Sequence, residues 1–255
     1  MKITDTHVHL YDKKILYNIK NIINISKKNF IYRFFMPSLS SNNLKLMFEI
    51  KKKYNNIFSM IGLHPNYLLN YKNVNKELLI INNYLKKKKK KFIGIGEIGI
   101  DLYKKKKNIE LQIYALKEQI KLANKYKLPV CLHIRNSFNE FFNINLNIKY
   151  GGVIHCFSGN LEQALYCIKK YNLKLGIGGL ITFKKNKISN FLKKIDLSNI
   201  ILETDSPYLI PFPFKGNNNP SYLYYILIKI SKIYKENINI ISNIIEKNIN
   251  KTFLI

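Results

Sequence analysis

The sequence holds only five histidines, His7, His9, His64, His133 and His155, and each stands at the C-terminal end of a short apolar run. His7 and His9 form an H-x-H pair. Side chains two apart on a strand point the same way, so both imidazoles can reach one ion. The same spacing also suits two hydrogen-bonded core histidines. Two of the 15 acidic residues fall at equivalent places, Glu97 in GEIGID and Asp205 in LETDSP. Imidazole and carboxylate together suit a borderline divalent ion such as Zn²⁺ or Mn²⁺, or Mg²⁺ where carboxylates and waters dominate. So many candidate ligands exceed what one tetrahedral site needs. They imply two divalent ions sharing a bridging carboxylate, with positions left open for water.

Such groups must be carried to one place by regular elements. Eight short runs rich in Ile, Val and Phe read as strands: residues 2–9, 30–37, 57–64, 92–99, 129–135, 152–157, 173–179 and 200–205. Between them, residues 42–54, 75–90, 109–127, 161–171 and 188–195 read as helices. The clearest is 109–127, where Ile113, Leu116, Ile120 and Ala123 repeat along one face. Strands alternating with helices over 255 residues predict a single α/β domain, residues 1–255, folded as a (β/α)8 barrel. No Gly-rich dinucleotide loop follows the first strand, which argues against a doubly wound sheet. The tail from Tyr222 reads as one or two closing helices. In this fold the C-terminal strand ends carry the active site, so the histidines converge on one mouth.

Composition narrows the remaining classes. No stretch is long and apolar enough to span a bilayer, and MKITDTHVHL lacks the apolar core of a signal peptide. Cys131, Cys156 and Cys167 are too few and unpatterned for a disulfide framework. A cytoplasmic protein without membrane contact is expected. Cys131 and Cys156 read as small buried residues, with Cys156 facing away from His155. The net charge of +28 comes from 41 Lys and only 2 Arg, Arg33 and Arg135, beside 42 Ile and 34 Asn. These are residues of A/T-rich codons, so the bare charge says little about a polyanionic partner. Placement says more. Lysines 51–53 and 86–91 precede strands and belong to the far end of the barrel. Lys104 and the three lysines after it, Lys184, Lys185 and Lys215 follow strands, on the side of the histidines, where they can line a phosphate groove. Tyr103, Phe157, Phe183, Tyr208 and Phe212 can stack on bases there, though each singly is more often core or loop packing.

The chain resembles the TatD family of metal-dependent deoxyribonucleases, within the amidohydrolase-like superfamily. The resemblance rests on DTHVHL (5–10), GLHP (62–65), GEIGIDLY (96–103), ELQIYALKEQIKLA (110–123), LHIRNS (132–137), HCFSG (155–159), GIGGLITFKK (176–185) and LETDSPYL (202–209), with a weaker echo at 248–253. It implies that His7 and His9 bind one metal, that Glu97 bridges two, and that His133 and His155 bind the second. Asp205 is implied to bind a metal and act on the nucleophilic water, and His64 to lie near the substrate phosphate. The activity implied is two-metal hydrolysis of DNA phosphodiesters, trimming single strands or 3′ ends, by a monomer. Arg135 is a candidate for a phosphate oxygen, and Glu203 for supporting the ligands from behind. Asn136 stands where the family often has an acid, and Lys215 where it commonly has Arg, which bears on substrate grip. Two readings compete with the nuclease: the same ligands suit a hydrolase of a small amide, lactone or ester, and charge alone would suit a non-catalytic nucleic-acid binder.

Overall fold

The computed structural model describes residues 1–103 and 108–255. Eight parallel strands lie in sequential order: β1 (Ile3–Asp5), β2 (Ile31–Pro37), β3 (Ile57–Ile61), β4 (Phe92–Asp101), β5 (Val130–Arg135), β6 (Gly152–His155), β7 (Leu173–Ile177) and β8 (Ile200–Leu202). The sheet closes between its first and last strands. Thr6 N–H donates to the Leu202 carbonyl at 3.1 Å, Asp205 N–H to the His7 carbonyl at 2.9 Å, and Val8 bridges Ser206 in parallel. This is the (β/α)8 barrel that the alternation of runs predicts.

Helices pack outside it: α1 (Lys13–Leu16), α2 (Ile19–Lys28), α3 (Leu44–Lys53), α4 (Tyr71–Lys88), α5 (Ile109–Tyr126), α6 (Phe138–Asn143), α7 (Leu161–Tyr171), α8 (Ile188–Phe191), α9 (Leu223–Tyr234) and α10 (Ile238–Phe253). The tail is thus two helices. No helix among the described residues is long and apolar enough to cross a membrane. The short helices α1 and α6 and the amphipathic α2 were not singled out by periodicity. Helix α2 is rich in Lys and Asn and buries only Ile23 and Ser26, so its apolar stripe is thin.

Several strands stop sooner than their apolar runs. β1 ends at Asp5 and β8 at Leu202, three residues short of Asp205. The cause is the barrel seam. Asp5 turns its carboxylate across it, accepting from Thr204 N–H at 2.9 Å, from the Thr204 hydroxyl at 2.5 Å and from His7 N–H at 3.3 Å. A side chain there takes the place of the regular ladder. Burial pushes the Asp5 carboxyl up to about 8, and the hydrogen bonds from Thr204 pull in the other direction.

Helix α5 buries Leu111, Ala115, Leu116, Ile120 and Ala123, together with Gln112 and Gln119. Both glutamines bond backbone on the strand side. Gln119 accepts from Leu63 N–H at 2.7 Å and donates to the Leu63 carbonyl at 3.0 Å. Gln112 accepts from Asp101 N–H at 2.8 Å. The helix face is therefore fitted to hold the ends of β3 and β4, from which His64 and Asp101 project. At the opposite end of the barrel, Glu246 on α10 accepts from Thr4 N–H at 2.7 Å and from the Thr4 hydroxyl at 2.9 Å, and pairs with Arg33. Replacing Gln119 by Leu keeps the volume but strands both polar groups of Leu63. It is expected to lower unfolding free energy by about 3 kcal/mol, read as a lower urea midpoint at unchanged slope; a midpoint equal to wild type refutes the clamp.

Candidate metal centre

Glu97 is the hub of the barrel mouth. It projects from β4 and is 2% exposed, yet all five histidines reach it. Its Oε2 lies 3.1 Å from His7 Nε2 and 3.6 Å from His9 Nε2. Its Oε1 lies 3.2 Å from His64 Nε2, 2.7 Å from His133 Nδ1 and 3.4 Å from His155 Nε2. Asp205 Oδ1 stands 3.7 Å from His7 Nε2 and 3.5 Å from His9 Nε2. The structure therefore gathers every ligand candidate of the sequence in one place.

Three donor groups there could hold an ion: His7 with His9 and Asp205, His7 with Glu97 and His155, and His64 with Glu97 and His133. In each, the donor atoms lie within 4.8 Å of one another. Glu97 belongs to two groups. Its Oε2 faces His7 and His9 and its Oε1 faces His64, His133 and His155, so its two oxygens serve different imidazoles, which is the disposition of a bridging carboxylate. The mixture of imidazole and carboxylate fits a borderline divalent ion. The grouping departs from expectation in two ways. His64 stands inside a donor group, and His133 turns its Nε2 away, to Asp101 Oδ2 at 3.1 Å.

The hydrogen bond on the far side of each ring assigns its proton. The Tyr11 hydroxyl donates to the Pro37 carbonyl at 2.9 Å, so its oxygen accepts from His9 Nδ1–H at 2.9 Å. His9 Nε2 then offers its lone pair to the centre. Glu203 Oε1 takes His155 Nδ1–H at 3.2 Å, again directing Nε2 inward. His64 is the opposite case. Its Nδ1 accepts from Asn66 N–H at 3.1 Å, so the proton sits on Nε2 and points at Glu97. His64 is thus a hydrogen-bond donor toward the centre, as suits an anion and not a cation.

The electrostatics follow from burial against pairing. Burial would push Glu97 up, but His64, His155 and His7 and the bond from His133 hold it well below the usual carboxylate range. Burial opposes the charged form of His155, yet Glu97, Glu203 and Asp205 overcome it and push it up to about 10. Burial keeps His64 below the ordinary imidazole value. Desolvation also opposes charge on Asp101, but the His133 hydrogen bond and Tyr103 N–H hold its carboxyl below the usual value.

Sequence reasoning missed Asp101, Tyr11, Asn66 and the two clamp glutamines. Asp101 lies four residues after Glu97 on the same strand, so the alternation that pairs His7 with His9 also pairs these two. The other four carry no local signal. Glu203 stands behind His155 as expected, and also accepts from Cys156 N–H. Among the described residues its buried Oε2 has no hydrogen-bond partner, and Gly176 leaves room for it: a Cβ there would meet that oxygen at 2.3 Å.

Above the centre opens a cavity of about 680 Å³ whose wall includes His9, His64, Glu97, His133, His155 and Asp205. Its rim carries Tyr67, Tyr103, Arg135, Asn136, Ser158 and Tyr208. The Arg135 guanidinium lies flat on Tyr103, 3.7 Å from the ring centroid. Lys215 is exposed on the loop after β8 and does not line the cavity. Lys104 and the other three lysines of residues 104–107 lie outside the described residues. One alternative is decided here and one expectation fails. Phe157 is buried against Phe138, with centroids 5.5 Å apart, and serves the core instead of a base. Cys156 joins the cavity wall, because at φ 46° the chain has left β6 and strand alternation no longer applies. Cys131 is buried as expected, its sulfur 3.3 Å from His7 Nδ1.

Comparison with known proteins places the chain. Residues 4–254 match the family described as TatD related DNase. The chain belongs to that family. An uncharacterised metal-dependent hydrolase of Buchnera aphidicola is 33% identical over 242 residues, covering 91% of this chain and 89% of the relative. The crystal structure of YjjV, a TatD homologue from Escherichia coli, superposes with a TM-score of 0.93 at 26% identity, covering 99% of this chain and 98% of that one. A relative from Pantoea ananatis, 28% identical over 228 residues and covering 85% of this chain and 84% of its own length, is named the 3′-5′ ssDNA/RNA exonuclease TatD.

The role of Tyr11 is open to test. Replacing it by Phe removes one acceptor and frees the His9 proton to move to Nε2. Mn²⁺ or Zn²⁺ affinity is expected to fall about 10- to 100-fold, measured by calorimetry with thermal stability as the folding control. Because His155 holds an extra proton, uptake should also release protons, so affinity should rise with pH. Unchanged affinity in the Phe variant would show that the tyrosine does not set the ring.

Proposed function

We propose that this protein is a metal-dependent hydrolase that cleaves DNA phosphodiester bonds, removing nucleotides from a 3′ end. The observation that carries the reading is Glu97, ionised at the floor of the cavity with one oxygen toward His7 and His9 and the other toward His64, His133 and His155. The name of the Pantoea relative supports the choice of nucleic acid. Bound at these groups, divalent ions supply Lewis acidity, lowering the pKa of a water and offsetting charge on the phosphate.

His7, His9, His133, His155, Glu97 and Asp205 would hold two such ions, Mg²⁺, Mn²⁺ or Zn²⁺, and the chain does the rest. Asp205 orients the attacking water and accepts its proton. The water oxygen bonds to phosphorus as the bond to the departing sugar oxygen breaks, and that oxygen takes a proton from solvent water to leave as a hydroxyl. His64 donates its Nε2 proton as a hydrogen bond to a phosphate oxygen, since Asn66 fixes that tautomer. Arg135, pinned on Tyr103, presents its fork to the same phosphate. A cavity walled on several sides favours a strand end over a continuous strand.

The test is cleavage of 5′-labelled single-stranded DNA in Mg²⁺, Mn²⁺ and Zn²⁺ separately. A ladder shortening from the 3′ end is expected, lost with chelator and reduced about 100-fold or more in Glu97→Gln. Arg135→Lys keeps the charge but loses the fork, so KM should rise more than kcat falls. An uncut strand in every metal, with bound metal confirmed by elemental analysis, would transfer the assignment to hydrolysis of a small amide, lactone or ester.

A further inference from the structure

One lip of the cavity exposes aromatic surface that packing does not require. Phe183 and Phe212 are 42% and 50% exposed, with ring centroids 6.5 Å apart. They come from different loops, one after β7 and the other after β8. Thr182 ties the loops together: its hydroxyl accepts from Phe212 N–H at 2.8 Å and donates to the Gly179 carbonyl at 2.7 Å. The rings are therefore held in place by backbone. The lip also runs into the cavity, since Leu180 and Tyr208 belong to its wall and Phe183 N–H donates to the Leu180 carbonyl at 3.2 Å.

Charge points the same way. Residues 179–187 and 206–219 contain no Asp or Glu, and Lys184, Lys185 and Lys215 are exposed among them. Flat apolar rings beside unopposed ammonium groups suit a polymer with a planar apolar face and a negative charge in each repeat. An anionic bilayer would also attract both groups, but the lip adjoins the cavity through Leu180 and Tyr208, and that continuity favours a strand.

We propose that this lip docks the unpaired nucleotides that follow the one held in the cavity, their bases on Phe183 and Phe212 and their phosphates toward Lys184, Lys185 and Lys215. The inference rests on the nuclease reading and adds a substrate requirement: the end must be unpaired for several nucleotides, because a duplex hides the faces of its bases.

The experiment is fluorescence anisotropy of labelled oligothymidylate with the whole protein in chelator, against an abasic strand of equal length. The Phe183→Ala/Phe212→Ala variant is expected to bind oligothymidylate about tenfold more weakly and the abasic strand as wild type does. Lys184→Gln/Lys185→Gln should flatten the slope of log affinity against log salt by about 1.4. Equal loss on both strands, unchanged binding, no binding by wild type, or a loss confined to phosphatidylglycerol vesicles would each overturn the proposal. Phenylalanine-dependent binding of a strand that wild type leaves uncut in Mg²⁺, Mn²⁺ and Zn²⁺ would uphold the lip and refute the nuclease reading.

Discussion

The structure depends on keeping one almost fully buried carboxylate ionised. Burying an unpaired charge costs several kcal/mol, and Glu97 is compensated by imidazoles at 2.7 to 3.6 Å. Those imidazoles come from the ends of β1, β3, β5 and β6. No single element can supply them, so the hub exists only when the barrel is closed and in register. Features far from the cavity acquire meaning from this. The Asp5 carboxyl closes the seam beside His7, the Gln119 amide fixes the backbone before His64, and Glu246 ties α10 to the first strand.

The same dependence explains why the rings differ in function although they share a carboxylate. An imidazole has one proton to place when neutral, and whatever touches its outer nitrogen decides where it goes. An acceptor behind the ring turns a lone pair inward for His9, and for His155 once its extra proton has left. A donor behind the ring, the Asn66 amide for His64, turns a proton inward. Chemically identical side chains thus present different groups to the centre, His9 and His155 on one side of the division and His64 on the other, through the atoms behind their rings.

Much of this was legible in the sequence because it rests on short-period patterns. The alternation of apolar runs fixes the barrel, and spacing of two places His7 and His9 on one side. Strand ends were less legible, since apolar runs continue past the point where Asp5 and Thr204 replace the ladder. Tyr11 and Gln119 were invisible for a different reason. Their partners lie 26 and 56 residues away in the chain, and nothing local marks a tyrosine or a glutamine as bound to backbone. Asp101 is the instructive miss: it sits inside a quoted motif, and the parity argument applied to the histidines reaches it from Glu97. Cys156 shows the limit of that argument, which fails once the chain turns to φ 46°.

The two arginines settle how the high lysine content should be weighed. Arg33 uses its guanidinium as a fork, donating to the Thr4 hydroxyl at 2.8 Å and pairing with Glu246. Arg135 uses its planarity, stacking on Tyr103 at 3.7 Å. A lysine has neither property: its ammonium is a compact point charge with no plane to stack and no fixed pair of donors. In a chain otherwise committed to Lys, guanidinium therefore stands where geometry demands it. Lysine fills positions where charge alone is enough, and most of the described lysines stand on exposed faces. The basic residues that bear on substrate are to be sought where a second feature accompanies the charge, as the Tyr103 plane accompanies Arg135 at the rim and the paired phenylalanines accompany Lys184 and Lys185 at the lip.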